Sequence, residues 1–194
     1  DQVIGIALTS NTVQPALIDR PIVLDQTIVV FASDQTALLG LLSSGIHGEW
    51  VRKHAASLRT DVRYTPSDVF ETYPMPEDWA SLSECGVAME SARNRVMSGR
   101  GIGLTATYKL IRDPLEEGQD VQLLRAAHVD LDWAVLATYG WSDLDPDHGF
   151  YDTEQGVRFT MERSVTAEVL DRLLELNHAR YADEVARGLH SKRA

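Results

Sequence analysis

The sequence predicts an α+β fold: a small mixed or antiparallel sheet backed by a helix, then a mainly helical C-terminal region with a short hairpin. Three observations predict it. The first third alternates short, β-branched apolar runs with turn residues, the pattern of half-buried strands. Leu38, Leu42, Ile46 and Trp50 recur every fourth residue, one stripe of a helix. Beyond Pro74 and Pro76 the apolar spacing turns helical and stays so, broken once by GFYDTEQGVRFT.

QVIGIALT (2–9) is an apolar, β-prone run, and in TVQPALI the proline, Pro15, marks an edge strand or a bulge. A turn at Asp19-Arg20-Pro21 leads into IVLDQTIVVFAS, two short strands or one bent one, interrupted by the polar Asp25, Gln26 and Thr27. Ser33 or Asp34 is placed to cap the Leu38-to-Trp50 helix, which Gly40, Gly45 and Gly48 weaken enough to divide it in two. At its end Arg52, Lys53 and His54 form a compact basic cluster, suited to DNA phosphate contacts and equally to a solvated helix end in a favourable dipole.

Arg59-Thr60-Asp61-Val62-Arg63-Tyr64-Thr65, closed by Pro66, reads as a strand. Alternation puts Arg59, Asp61 and Arg63 on one face and Thr60, Val62 and Tyr64 on the other. Three formal charges on one side are costly to bury unpaired. That face therefore meets water or a matching partner. The major groove of DNA is one such partner, since arginine pairs with guanine O6 and N7 and a carboxylate accepts from cytosine N4. The pattern alone favours a solvated Arg-Asp-Arg ladder, because charged strand faces are common and base readers rare.

After this strand, Thr65-Pro66-Ser67-Asp68 is turn chemistry, with Ser67 or Asp68 capping a short VFETY turn. Pro74 and Pro76 then stop regular structure, which puts a division near residue 78: residues 1–78 and a helical domain over 79–194. Asp78 or Ser81 starts a helix reaching Met97 and carrying Leu82, Val87, Met89 and Val96. Gly99, Gly101 and Gly103 fail as a phosphate-cradling loop, because no strand precedes them and the third glycine is misplaced. A short helix ending by Pro114 and Gly118 follows. Asp120 caps the next, striped by Leu124, His128, Leu131 and Val135 and closed by Gly140. Trp133 and Trp141 are expected between helices, and His128 as a satisfied core histidine. Asp143 to Asp147 lacks the glycine and distal glutamate of a calcium loop. A hairpin turning at Glu154-Gln155-Gly156 precedes a last helix that starts at Ser164. Leu170, Leu173, Leu174, Tyr181 and Val185 share one face of that helix.

The 194 residues suffice for one domain or two small ones, with 44% hydrophobic and 24% charged residues. No run is long enough to span a bilayer, no leader is visible, and the single Cys85 fits a reducing cytoplasm. Six scattered histidines offer no metal-ligand spacing. The net charge is −11, and neither half is basic: residues 1–79 carry five basic and ten acidic side chains, the remainder thirteen and nineteen. Such a chain alone neutralises few phosphates. A DNA-reading role requires phosphate contacts from elsewhere in a longer protein. The strand-like opening at Asp1, without an initiator methionine, is what a fragment would show.

LRTDVRYTPSDVFETYPMP, preceded by LLGLLSSGIHGEWVRKHAASL, resembles the target-recognition region of single-chain DNA adenine-N6 methyltransferases. These serve type IIG and type IIL restriction-modification systems, with relatives in phage-defence systems such as DISARM and BREX. AAHVDLDWAVLATYGW, HGFYDTEQGVRFT and EVLDRLLELNHARYADEV resemble the C-terminal tail of the same enzymes, so the similarity covers nearly the whole chain.

The resemblance implies that base-reading side chains alternate into an Arg-Tyr pair, here Arg59, Asp61 and Arg63 with Tyr64 completing it. Family geometry adds Gln26, a natural adenine reader, as a second base contact. Arg52, Lys53 and Tyr64 are the phosphate candidates. Residues 1–78 become the distal part of a recognition domain. Implied partners are double-stranded DNA, a methyltransferase domain N-terminal in the same protein, and other defence-system subunits; no membrane is implied. The F-x-G-x-G and N-P-P-Y/F motifs of the family are absent, so the segment is expected to be non-catalytic and without a cofactor. S-adenosylmethionine is expected in the parent protein. Two alternatives come from other classes: an assembly module docking a defence-complex partner through its acidic helices, and a complete enzyme of another kind.

Overall fold

β1 (Gln2–Ala7) forms the middle of an antiparallel sheet because its two faces both carry apolar side chains, as a central strand needs. In the computed structural model, which describes residues 2–58, 61–153 and 156–189, β1 lies between β3 (Ala16–Asp19) and β4 (Ile28–Phe31). Pro15 precedes edge strand β3, where its missing N–H leaves no ladder bond unmade. Gly5 at the sheet centre leaves room for its neighbours, since a Cβ there would lie 3.2 Å from Ile28 Cγ2 and would push the end of the Ile18 side chain aside. The expected single sheet is in fact two. β2 (Thr9–Ser10), β5 (Ala56–Leu58) and β6 (Asp61–Arg63) make a second antiparallel sheet in the order β2-β6-β5. Runs of two and three residues are too short for a period to register, so neither β2 nor β5 is legible in the sequence.

The Leu38-to-Trp50 stripe divides at Ser44 into α1 (Thr36–Ser43) and α2 (Gly45–His54). The Ser44 hydroxyl accepts from His47 N and donates to Leu41 O at 2.7 Å, serving both helices at the break. Ser33 and Asp34 do not cap α1. Its N-cap is Gln35, whose side chain makes no capping bond. α1 is buried almost all round: Leu38, Leu39 and Leu42 pack towards the sheets, while Ala37 and Leu41 join the core beneath the later helices. α3 (Pro66–Val69) follows the second sheet, with proline in its first turn and Thr65 rather than Ser67 or Asp68 as N-cap.

A 3-10 turn over Ala80–Leu82 leads into α4 (Ser83–Arg100), so the helix starts later than Asp78 or Ser81 and ends past Met97. Gly101, at φ +63°, closes it in the left-handed conformation that glycine adopts without cost. α5 (Leu104–Arg112) and α6 (Gln119–Thr138) follow; Gly118, not Asp120, is the N-cap of α6. Arg125 on α6 donates to the carbonyls of Leu110, Ile111, Asp113 and Glu116, fastening α6 to the end of α5 and the loop that follows it. The hairpin β7 (Gly149–Thr153) and β8 (Gly156–Thr160) lies as expected, its turn residues Glu154 and Gln155 falling outside the described residues. α7 (Arg163–Ala186) is capped by Glu162, so it starts just ahead of the expected Ser164.

Residue 78 divides the composition, but the hydrophobic core runs across it. Leu41, Ile46 and Trp50 pack with Leu82, Met89, Leu131, Val135 and Leu173 in one cluster. Two expectations about apolar faces are corrected. Trp133 and Val87 are exposed, and α7 buries only Val169 and Leu173, leaving Leu174, Tyr181 and Val185 in contact with solvent. The middle of α7 is held instead by polar bonds, from Asn177 to Thr72 O and from Arg180 to Met75 O, both at 2.6 Å.

Candidate nucleic-acid interface

β6 places its side chains as a strand with one wet face must. Val62 and Tyr64 point into the core, whereas Arg63 is exposed and Asp61 half-buried. Arg59 lies outside the described residues. Among the described residues neither Asp61 nor Arg63 forms an ion pair. Among the described residues, Arg63 thus presents a guanidinium whose five donors have no protein acceptor.

Tyr64 is corrected. It is fully buried, and its hydroxyl sits 3.2 Å from His47 Nε2, so it faces the core and not a phosphate. Burial pushes its phenol above the usual range. His47 Nδ1 lies 3.1 Å from Leu42 O. A carbonyl can only accept, so Nδ1 carries the proton and neutral Nε2 accepts from Tyr64. The pair thereby fastens the strand's inner face to α2, which fixes the outward aim of Arg63.

Burial, opposed by the Leu42 carbonyl and assisted by Arg52, holds His47 down at about 4. Above the unfolded value near 6.5 both states are neutral and stability is full. As pH falls towards 4 the unfolded chain takes up a proton that the folded one refuses, so stability drops and then levels off. Urea unfolding at pH 7 and pH 4.5 should differ by on the order of 2–3 kcal/mol more in the wild type than in His47→Gln.

The expected second contact lies close by. Leu8, between β1 and β2, donates its N–H to Thr27 O at 2.7 Å and accepts from Tyr64 N at 2.8 Å. One residue therefore ties the Gln26–Thr27 turn to the end of β6. Thr9 pairs with Arg63 in the ladder. Gln26, Thr9 and Arg63 are all exposed, and Asp25 Oδ1 stiffens the turn by accepting from Thr27 N at 2.8 Å. On the other flank, Arg52 and Lys53 are exposed in the last turn of α2, with Arg52 held 2.6 Å from Glu49. His54 lies against the Trp50 ring, centroids 4.0 Å apart.

Several positioning residues escaped the sequence reading. Arg93, 1% exposed, donates to Pro15 O at 2.7 Å and pairs with Glu90. Asp132 accepts from Gly45 N at 2.7 Å and lies 2.9 Å from His148 Nε2. Tyr108 donates to Gln14 at 2.9 Å, with His128 Nε2 also 2.9 Å from its hydroxyl. A signal existed: Arg93 falls on the Met89–Val96 face, and Asp132 beside Leu131 and Val135 on theirs. These bonds clamp the later helices onto the strands.

Residues 13–77 match the family described as the MmeI target recognition domain. Gln26, Arg52, Lys53, Arg59, Asp61 and Arg63 all fall inside this matched stretch, whereas β1 and β2 precede it. Over 128 residues, 64% of the chain, the sequence is 38% identical to DNA methyltransferase A of Bacillus subtilis (strain 168). The chain spans only 13% of the length of that relative. The fold is that of a segment of the type IIL restriction-modification enzyme MmeI, solved in complex with DNA. The match covers 93% of this chain and 21% of that one, at 22% identity and a TM-score of 0.62.

Gly99, Gly101 and Gly103 join the end of α4 to α5, and nothing lies within 4 Å of where a Cβ on any of them would point. Among the described residues no cluster of His, Cys, Asp or Glu is placed to hold a metal, and no helix is long and apolar enough to cross a membrane.

Proposed function

We propose that this chain selects the DNA sequence at which a larger restriction-modification protein transfers methyl to adenine N6. Arg63, Asp61, Arg59 and Gln26 read base edges. Arg52 and Lys53 contact phosphates. The chain's own contribution is non-catalytic, and a methyltransferase domain N-terminal in the same protein supplies the S-adenosylmethionine site. Other defence-system subunits are further partners, and the setting is the cytoplasm.

The observation that carries this reading is the pairing of an unpartnered, outward Arg63 with the exposed Gln26 turn through a single residue, Leu8. A surface built only for solubility has no need to lock two distant polar segments together. The match of residues 13–77 to a recognition-domain family supports the assignment of that surface to DNA.

The test is binding of the intact protein to a randomised pool of duplexes. Recovery of a defined sequence supports the proposal; recovery of the unselected pool refutes it. Lys53→Ala, in contrast, should weaken binding to every duplex alike and lower the slope of log affinity against log salt by about one.

A further inference from the structure

The chain's acidity leaves open what holds a polyanion next to β6, and the structure offers an answer that lies largely outside residues 13–77. Arg112 ends α5 and donates to Asn11 O at 3.2 Å, where Asn11 directly follows β2. Arg158 stands on β8, next to Phe159, which packs with Tyr108 and Ile111 of α5. Arg52 stands at the end of α2, the helix that feeds β5. Arg112 and Arg158 thus stand on two elements that pack together beside the end of β2, and Arg52 is near enough to act on both electrostatically.

They also repel one another. Burial chiefly, then the charges of Arg158 and Arg52, hold the Arg112 guanidinium down at about 10. Burial and Arg52 likewise lower that of Arg158. Among the described residues neither Arg112 nor Arg158 meets a carboxylate; each donates only to a backbone carbonyl. The ordinary structural reason for Arg112, fastening the end of its helix, is already met by Arg125. Arg52 has Glu49 2.6 Å away, but the half-buried Arg112 and Arg158 stand together without a carboxylate partner among the described residues, a standing cost to folding that an anion would remove.

We infer that Arg112 and Arg158, together with Arg52, form a phosphate-binding site that grips the DNA backbone beside the reading strand. It rests on the DNA-reading role proposed above, and it assigns part of the grip to the helical region after residue 78. Phosphate contacts set register and carry no sequence information. The site and β6 therefore divide the work: one holds, the other reads.

The experiment compares wild type with Arg112→Gln/Arg158→Gln and with Arg112→Lys/Arg158→Lys in the intact protein. The glutamine pair should bind all duplexes roughly tenfold or more weakly at moderate salt, with a salt slope lower by about two and the rank order of sequences unchanged. The lysine pair should keep the slope. Relief of repulsion should leave the glutamine pair melting no lower than wild type in chloride. Inorganic phosphate, at equal ionic strength, should raise the melting temperature of wild type and not of the glutamine pair. Wild type that binds DNA selectively while the glutamine pair matches it in affinity and slope overturns this site alone. Wild type that binds no DNA overturns the DNA-reading role instead, and the site is then decided by the inorganic phosphate shift, whose absence overturns it too.

Discussion

Arg63→Ala should leave the protein folded and still able to bind DNA, yet erase its preference at one base pair. The side chain is exposed and unpaired, so its removal costs folding within about 0.5 kcal/mol. Its expected partner is guanine, through two parallel hydrogen bonds to O6 and N7, worth about 1–3 kcal/mol of discrimination. That corresponds to roughly a 5- to 150-fold difference between duplexes differing at that position. Competition between such duplexes at fixed salt measures it. Arg63→Lys should fail nearly as badly, because an ammonium cannot reproduce the planar fork. Loss of affinity spread evenly over all duplexes would instead make Arg63 a phosphate contact.

The second large effect is structural and concerns how β6 is held. α1 and α4 cross where Gly40 and Gly86 meet. A Cβ on Gly86 would lie 3.4 Å from Gly40 Cα and would drive into the Thr36 carbonyl oxygen. Both obstacles are backbone, so the helices must separate. Gly86→Ala should therefore destabilise by on the order of 2–3 kcal/mol, even after the ~1 kcal/mol that alanine contributes to a helix interior. Gly99, in the same helix, has no atom within 4 Å of its Cβ position. Gly99→Ala should stabilise by about 0.5–1 kcal/mol. Urea midpoints of the two variants, moving in opposite directions, check both. Because α1 carries the sheets on one side and α4 on the other, Gly86→Ala should also weaken DNA selection indirectly.

How much of this was legible in the sequence follows from what each signal measures. Alternation in Asp61-Val62-Arg63-Tyr64 correctly separated an inner from an outer face, because a strand with one buried side has no other register. The same alternation could not say that Tyr64 ends on His47, since that bond depends on where α2 lies. Nor could it show the tie through Leu8, a backbone link that leaves no trace in side-chain pattern. The helical stripe at Leu38, Leu42, Ile46 and Trp50 was plain, and the glycines rightly foretold its division. Apolar residues misled where a helix was only partly covered. Trp133, Leu174 and Tyr181 obey the helical period yet stay exposed, because periodicity reports a face and not what covers it. Arg112 and Arg158 were invisible for a related reason: cations on separate elements become a cluster only once the chain folds.

The most direct measurement replaces each guanine of the selected duplex in turn by 7-deazaguanine, which lacks the N7 acceptor, and compares wild type with Arg63→Ala. At one position the replacement should weaken wild-type binding about tenfold and leave the variant unaffected, because the base change and the side-chain change remove the same hydrogen bond. If every replacement affects the two proteins equally, Arg63 does not touch a guanine N7, and the outward face of β6 is not the reading surface.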